Sequence, residues 1–298
     1  MERTISYVLL IGTMILWAAN FHVVKIALNY YPPLGVAAYR FLFAVITLFI
    51  IMGFNRKKYL KHFKKLCKKD WLYMFLVALF GIFLTIYFFN VGLKTTSAIN
   101  GSLIIATTPA ITGLLSTLVL KKQLKVKQWL AIAISFFGVV LILVKGDFSR
   151  LLELQFVIGD IYILCMATVF SFSQILVNKY LTQVNSILMT FISSFLALAM
   201  FALFSVPEFA NNPLPRAMDF WWSILFMGVL GSGLAYTAFY YAVVKLGANL
   251  STLSMNLIPF FTVLLAFPFG EKIYPVQIIG GLIVVTGMVL FIWKKYTK

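Results

Sequence analysis

Apolar residues run through this chain in long blocks, separated by short connections that hold most of the charges. A hydrocarbon core about 30 Å thick needs roughly 20 apolar residues rising 1.5 Å each. Ten blocks meet that length, near Ile5–Leu28, Leu34–Gly53, Trp71–Leu93, Ser97–Leu120, Gln128–Val144, Val157–Asn178, Ser186–Val206, Phe220–Val244, Ala248–Phe269 and Tyr274–Trp293. The pattern predicts an all-α integral membrane protein. The first block exceeds signal-peptide length and holds Asn20, His22 and Lys25 near its end, so it is expected to stay as a permanent helix. The longest connection is about 15 residues with no core pattern of its own, which predicts no extra domain.

The blocks repeat. Gly81 and Pro109 stand 28 residues apart, and Gly231 and Pro259 repeat that spacing 150 residues later. At the same offset Leu84/Leu234, Phe89/Phe239, Ala98/Ala248, Thr112/Thr262, Lys122/Lys272 and Val126/Val276 are identical. Apolar positions match easily by chance, so the glycine, proline and lysine pairs carry the weight. Nearer the start of each half the offset is about 154, pairing Asn20 with Gln174, Val23 with Val177 and Lys25 with Lys179. The expected repeats are residues 5–145 and 157–295. Five spans per copy force the second copy to begin on the opposite side of the membrane, so the two are inverted. Inverted repeats in a membrane protein point to a carrier with its site near the midplane between them.

Within the spans, Pro109 and Pro259 each remove a backbone donor and free a carbonyl one turn earlier. They are either hinges beside a cavity or packing kinks satisfied by Thr107, Thr108 or Asn256.

Composition agrees with a membrane setting: 62% hydrophobic residues, 11% charged residues and a mean hydropathy of +0.98. The net charge of +17 would suggest nucleic acid in a soluble chain, but here the basic residues lie in the connections, so no nucleic-acid partner is expected. Placing Arg56, Lys57, Lys58, Lys61, Lys64, Lys65, Lys68 and Lys69 in the cytosol leaves both termini cytoplasmic, with 18 basic residues inside against five outside. The expected location is the cell membrane. Asn55–Asp70 places Tyr59, Leu60, Phe63, Leu66 and Cys67 at helical spacing among lysines and predicts a short amphipathic helix held by anionic lipid. Cys67 and Cys165 have no paired spacing, so neither disulfide nor metal is expected.

Gly12, Trp17-Ala-Ala-Asn20 and Lys25 in the first span, Arg40 in the second, the small-residue opening and Pro109 of the fourth, and their counterparts in the second half resemble the drug/metabolite transporter superfamily, specifically its EamA family. The resemblance covers essentially the whole chain. It implies ten transmembrane helices as two inverted five-helix repeats, with spans one to four and six to nine around a central cavity and five and ten at the periphery. Members that look alike at this level move amino acids, other metabolites, sugar phosphates or nucleotide sugars, so no cargo follows from it.

Polar side chains inside spans are costly and are candidate site residues. Asn20, His22, Asn90, Asn100, Gln174, Tyr236, Tyr240 and Asn256 form the expected substrate cavity, with Pro109 and Pro259 as hinges. Lys25 and Arg40 fall toward the outer side, where long side chains can snorkel, and are expected to set the electrostatics of the mouth. His22 is either a proton carrier or a histidine bonded between helices. All eight acids lie at span ends or in connections, so a cationic cargo would find no counter-charge and a neutral, zwitterionic or anionic one is preferred. There is no HExxH, no GxSxG and no intramembrane carboxylate pair, which argues against an enzyme, and no catalytic residue or cofactor is expected. The expected partners are a small-molecule cargo and the lipid bilayer, with a homodimer also open. The resulting expectation is a carrier of an amino-acid-like compound, working outward by alternating access; the alternative is a sugar-phosphate or nucleotide-type anion exchanger.

Overall fold

The structure, a computed structural model, describes residues 2–96, 98–121, 123–152, 157–266 and 274–292, with backbone alone at 98–100, 102, 150, 151 and 266. Among them are ten helices long and apolar enough to cross a membrane. These are α1 (Glu2–Tyr30), α2 (Pro33–Gly53), α3 (Lys68–Thr95), α4 (Ala98–Ile105, then Thr108–Leu120), α5 (Val126–Val144), α6 (Ile158–Tyr180), α7 (Ser186–Phe204), α8 (Met218–Leu246), α9 (Ala248–Leu253, Ser254–Leu257, then Ile258–Ala266) and α10 (Pro275–Ile292). Each apolar block becomes one helix because a helix closes its backbone hydrogen bonds within its own segment, as lipid demands. Val8, Ile11 and Ile15 of α1, Phe49 of α2 and Leu282 and Val289 of α10 remain exposed, as a lipid-facing surface would be. The repeat lysines Lys122 and Lys272 lie outside the described residues.

The two halves interleave. Helix α1 packs along α8 and α9, while α6 packs along α3 and α4. Helix α2 leans on α8 and α7 on α3, α2 and α7 meet each other, and α5 pairs with α10. Exchanging 1 with 6, 2 with 7, 3 with 8, 4 with 9 and 5 with 10 maps this contact pattern onto itself, as inverted repeats require. Two bodies result, one of α1, α8 and α9 and the other of α6, α3 and α4. Each takes one helix from one half and two from the other, so the two halves do not pack as separate globular units.

Departures from α geometry also come in pairs. Val77–Leu84 in α3 and Met227–Leu234 in α8 wind as π-helix, with Gly81 and Gly231 at the same place in each. Hydroxyls support these widened turns: Thr85 Oγ1 donates to Phe80 O at 2.7 Å, and Thr237 Oγ1 donates to Gly233 O at 2.7 Å.

Helices α4 and α9 break rather than bend. Pro109 and Pro259 are each the second residue of a new helical segment, where a missing N–H costs nothing. The carbonyls at risk are those of Ile105 and Met255. Thr108 Oγ1 donates to Ile105 O at 2.5 Å, and the Ile258 N–H closes on Met255 O in a 3₁₀ turn. Satisfaction by Thr108 therefore holds in the first copy. Asn256 does not serve the second, because its Nδ2 donates to Ser135 Oγ of α5 at 3.0 Å.

The amphipathic segment is shorter than expected. It is helical over Arg56–Lys64, and Cys67 begins α3 as its N-cap, with the Cys67 N–H donating to Asp70 Oδ2 at 2.9 Å. Tyr59 turns inward, while Leu60 and Phe63 stay exposed.

Helices α5 and α10 touch backbone to backbone. A Cβ on Gly280 would stand 2.7 Å from the Gly138 carbonyl oxygen and 3.1 Å from Ile142 N, and one on Gly287 would stand 2.7 Å from Ala131 O. Small residues allow such approach where the hydrophobic effect gives helices no reason to associate. The opposing atoms are main chain and cannot rotate away, so Gly280→Leu is expected to cost about 1–3 kcal/mol through overpacking. Thermal unfolding of the detergent-solubilised variant checks this, and a melting temperature equal to wild type would rule out the close contact.

Candidate functional site

A cavity lies between the two bodies. Trp17, Asn20, Phe21, Tyr236, Met255 and Ile258 wall it from one side, Thr85, Ile86, Phe89, Ile105, Met166 and Phe170 from the other, and Arg40 enters from α2. The space open to the centre of a water molecule is about 70 Å³, room for several waters and hence for a small metabolite. Ile105 and Met255 flank the helix breaks of α4 and α9, so the two breaks border the cavity even though their carbonyls are satisfied.

The π-helical turn of α8 organises one wall. Trp17 Nε1 donates to Gly231 O at 3.1 Å, and the neighbouring Ser232 Oγ accepts from Arg40 Nε at 2.6 Å. An adjacent carbonyl and hydroxyl thus hold the indole and the guanidinium that line the cavity among the described residues. The indole ring is further boxed by Phe239, Tyr236 and Phe170, with centroids 5.0, 5.5 and 6.1 Å away. Gly231 leaves the space the polar groups need: a Cβ there would stand 3.2 Å from Asn20 Oδ1 and 3.8 Å from Arg40 Nη2.

Of the expected cavity residues, Asn20 and Tyr236 line this space. Arg40 corrects the expectation of a snorkelling mouth residue. It is buried, because α2 turns its guanidinium toward α8, where Ser232 binds it. Lys25 is exposed near the C-terminal end of α1 and does not line the cavity. His22 is exposed too and falls on the helical stripe of Val8, Ile11, Ile15 and Ile26, facing away from Trp17 and Asn20. It does not reach the cavity.

Four others are buried outside the cavity wall. Asn90 Nδ2 donates to Pro33 O at 3.1 Å and so fixes the start of α2 against α3. Tyr240 and Ser173 crowd Gly81, where a Cβ would overlap Ser173 Oγ and stand 3.3 Å from the Tyr240 hydroxyl. Gln174 is buried one turn before Asn178, whose Nδ2 donates to Val243 O at 3.3 Å. Asn256 belongs to the contact with α5 described above. The side chain of Asn100 lies outside the described residues. Phe21, Phe89 and Phe170 were not among the candidates, and Trp17 entered only as part of the family motif. For Trp17 a signal existed, since it stands three residues before Asn20 and must share its face.

Hydrogen bonds between the two bodies gather at the end that carries Glu2. Ser116 Oγ of α4 meets Asn249 Oδ1 of α9 at 3.0 Å, and Asn178 of α6 reaches α8 as described. At the same end Lys245 pairs with Glu2 at 2.9 Å, Lys179 Nζ donates to Val119 O at 2.8 Å, and Tyr73 stacks on Tyr180 at 3.9 Å. At the opposite end the Thr96 hydroxyl donates to Asp160, but this tie joins α3 to α6 within one body.

Ten spans in two inverted copies, with a small, largely apolar cavity between bodies drawn from both, define a multi-pass membrane transporter. The chain belongs to the EamA-like transporter family, whose sequence profile matches residues 4–144 and again 157–293. It is 28% identical over 291 residues to the uncharacterized transporter YyaM of Bacillus subtilis, covering 97% of this chain and 93% of that one. It is 27% identical to an uncharacterized transporter of Archaeoglobus fulgidus over 98% of both chains. A probable terminal-alkyne amino-acid exporter of Streptantibioticus cattleyicolor is 24% identical, over 94% of this chain and 91% of its own. Among solved structures, one crystal structure superposes with a TM-score of 0.74 over 96% of each chain at 17% identity, which supports the fold.

Because Trp17 supplies the donor for a carbonyl of the π-helical turn, Trp17→Phe is expected to cost roughly 0.5–1.5 kcal/mol. Trp222, 64% exposed on the outer surface, serves as the control. Thermal unfolding should separate the two, and equal melting temperatures for Trp17→Phe and Trp222→Phe would remove the bond from the account.

Proposed function

We propose that this protein carries a small amino-acid-like metabolite outward across the cell membrane, with both termini in the cytosol, by rocking the α1-α8-α9 body against the α6-α3-α4 body. The observation that carries this reading is the division of the cavity wall, six residues from each body with Arg40 beside them. A ligand held there touches both bodies, so a change in their angle opens it to one side or the other. Apolar and aromatic walls with a few polar groups suit an amphipathic molecule. The Streptantibioticus relative, named as a probable amino-acid exporter, supports both cargo class and direction. The basic residues concentrated on one side support the orientation.

Alternating access needs the inter-body contacts at the Glu2 end to break in each cycle. In a Cys67→Ser/Cys165→Ser background, oxidising Ser116→Cys with Asn249→Cys is expected to stop saturable flux in proteoliposomes. Dithiothreitol should restore it. Flux that continues at the wild-type rate after complete cross-linking would contradict the rocking motion.

A further inference from the structure

Among the described residues Arg40 carries the one positive charge in the cavity wall, and it is only 2% exposed. Its Nε is bonded to Ser232, but its Nη1 is buried with no hydrogen-bond partner. The described acids do not balance it. Glu208, which touches the same helix, accepts from the backbone N–H groups of Leu34 and Gly35 at 3.4 and 2.6 Å. Glu2 pairs with Lys245, Asp160 takes the Thr96 hydroxyl, Asp70 caps α3, Asp147 accepts from the Ser149 N–H, and Asp219 is exposed at the start of α8. A buried guanidinium with an idle N–H is costly to keep unless something answers it.

Resting on the carrier reading above, we propose that Arg40 is the anchor for a carboxylate on the cargo, and that Asn20 receives the cargo's ammonium group beside it. Asn20 Oδ1 is likewise buried without a hydrogen-bond donor, and it borders the same Gly231 gap as Arg40 Nη2. A donor for an anion and an acceptor for a cation thus converge at one point, the complement of an α-amino acid's head. Phe21, Phe89, Phe170 and Ile258 then surround an apolar side chain. One guanidinium balances one negative charge. A phosphate ester, with close to two, would bring uncompensated charge into an otherwise apolar wall.

The test uses full-length protein in proteoliposomes and four probes: L-leucine, its deaminated analogue 4-methylpentanoate, its decarboxylated analogue 3-methylbutylamine, and glycerol 3-phosphate. Wild type is expected to prefer leucine and the acid over the amine by about ten-fold or more in kcat/KM, the scale of a charge-assisted bond. Arg40→Met should erase that preference and leave the amine unchanged. Arg40→Lys, which keeps the charge and loses the fork, should weaken leucine yet retain the preference. Ser232→Ala removes the structural bond while keeping the guanidinium, and should also retain it. Monodisperse elution and thermal melting establish that each variant is folded, and if Arg40→Met is not, the comparison of Arg40→Lys with Ser232→Ala decides. A wild type that moves the amine as well as the acid, a folded Arg40→Met that keeps the preference, or flux confined to the phosphate ester overturns the anchor. Saturable flux of the amine alone overturns the anchor and leaves the carrier standing; no saturable flux of any of the four probes overturns both.

Discussion

Inside a bilayer no water is present to bond a loose backbone group, and every departure from the α-helix in this protein must therefore be answered locally. Among the described residues of the spans there are four such departures, in two matched pairs: the π-helical turns of α3 and α8 and the breaks of α4 and α9. Threonine hydroxyls answer Phe80, Gly233 and Ile105, and a 3₁₀ bond answers Met255. One carbonyl is answered from another helix. Gly231 O takes the indole N–H of Trp17, so a defect in α8 becomes the point where α1 is fixed. The cavity is built around that point, because the same widened turn presents Ser232 to Arg40 and the same glycine leaves room for Asn20.

Interleaving the halves follows from the inverted repeat. If each half packed on itself, two bundles would sit side by side and the space between them would be walled by any face. Here α1 leaves its own half for α8 and α9, and α6 leaves its own for α3 and α4. Each body then carries the same three kinds of helix in opposite orientation. The broken helix and the π-helical one of each body face the other across the cavity, and the pairs α2 with α7 and α5 with α10 bridge the two. The Gly138 and Gly280 contact belongs to that bridging layer, where close backbone approach holds the bodies together without entering the cavity.

The ten spans and their duplication were legible in the sequence because block length and the spacing of Gly81, Pro109, Gly231 and Pro259 are one-dimensional signals. Which face of each span turns inward was less so. Asn20, His22 and Lys25 share a helix end, yet only Asn20 falls on the face of Trp17, and that face is fixed by a bond to a residue 214 positions away. Arg40 was legible as a charge in a span but not as a buried one, since the partner that draws it inward stands 192 residues on. Asn90 and Asn256 are polar in spans for reasons of helix placement, bonding Pro33 and Ser135, and a sequence does not separate such roles from contact with cargo. The prolines looked like kinks because span length conceals whether one helix bends or two meet.

The scaffold is symmetric, but its chemistry is not. At the offset of 154, Asn20 corresponds to Gln174 and Arg40 to Ser194, so one copy carries a charge where the other carries a hydroxyl. Gln174 and Ser194 are fully buried, with their side-chain polar atoms lacking hydrogen-bond partners, and neither lines the cavity. A symmetric pair of charges would place two guanidiniums about one axis, and their mutual repulsion in a low-dielectric interior would be large. A single Arg40 avoids that repulsion and gives the space a direction. Under the proposed rocking, symmetric bodies moving about an off-centre charge would keep the motion balanced while a ligand stays held by the same end. Symmetry would then serve the movement and its breaking recognition, so that polar residues differing between the copies would say more about cargo than the glycines and prolines that match.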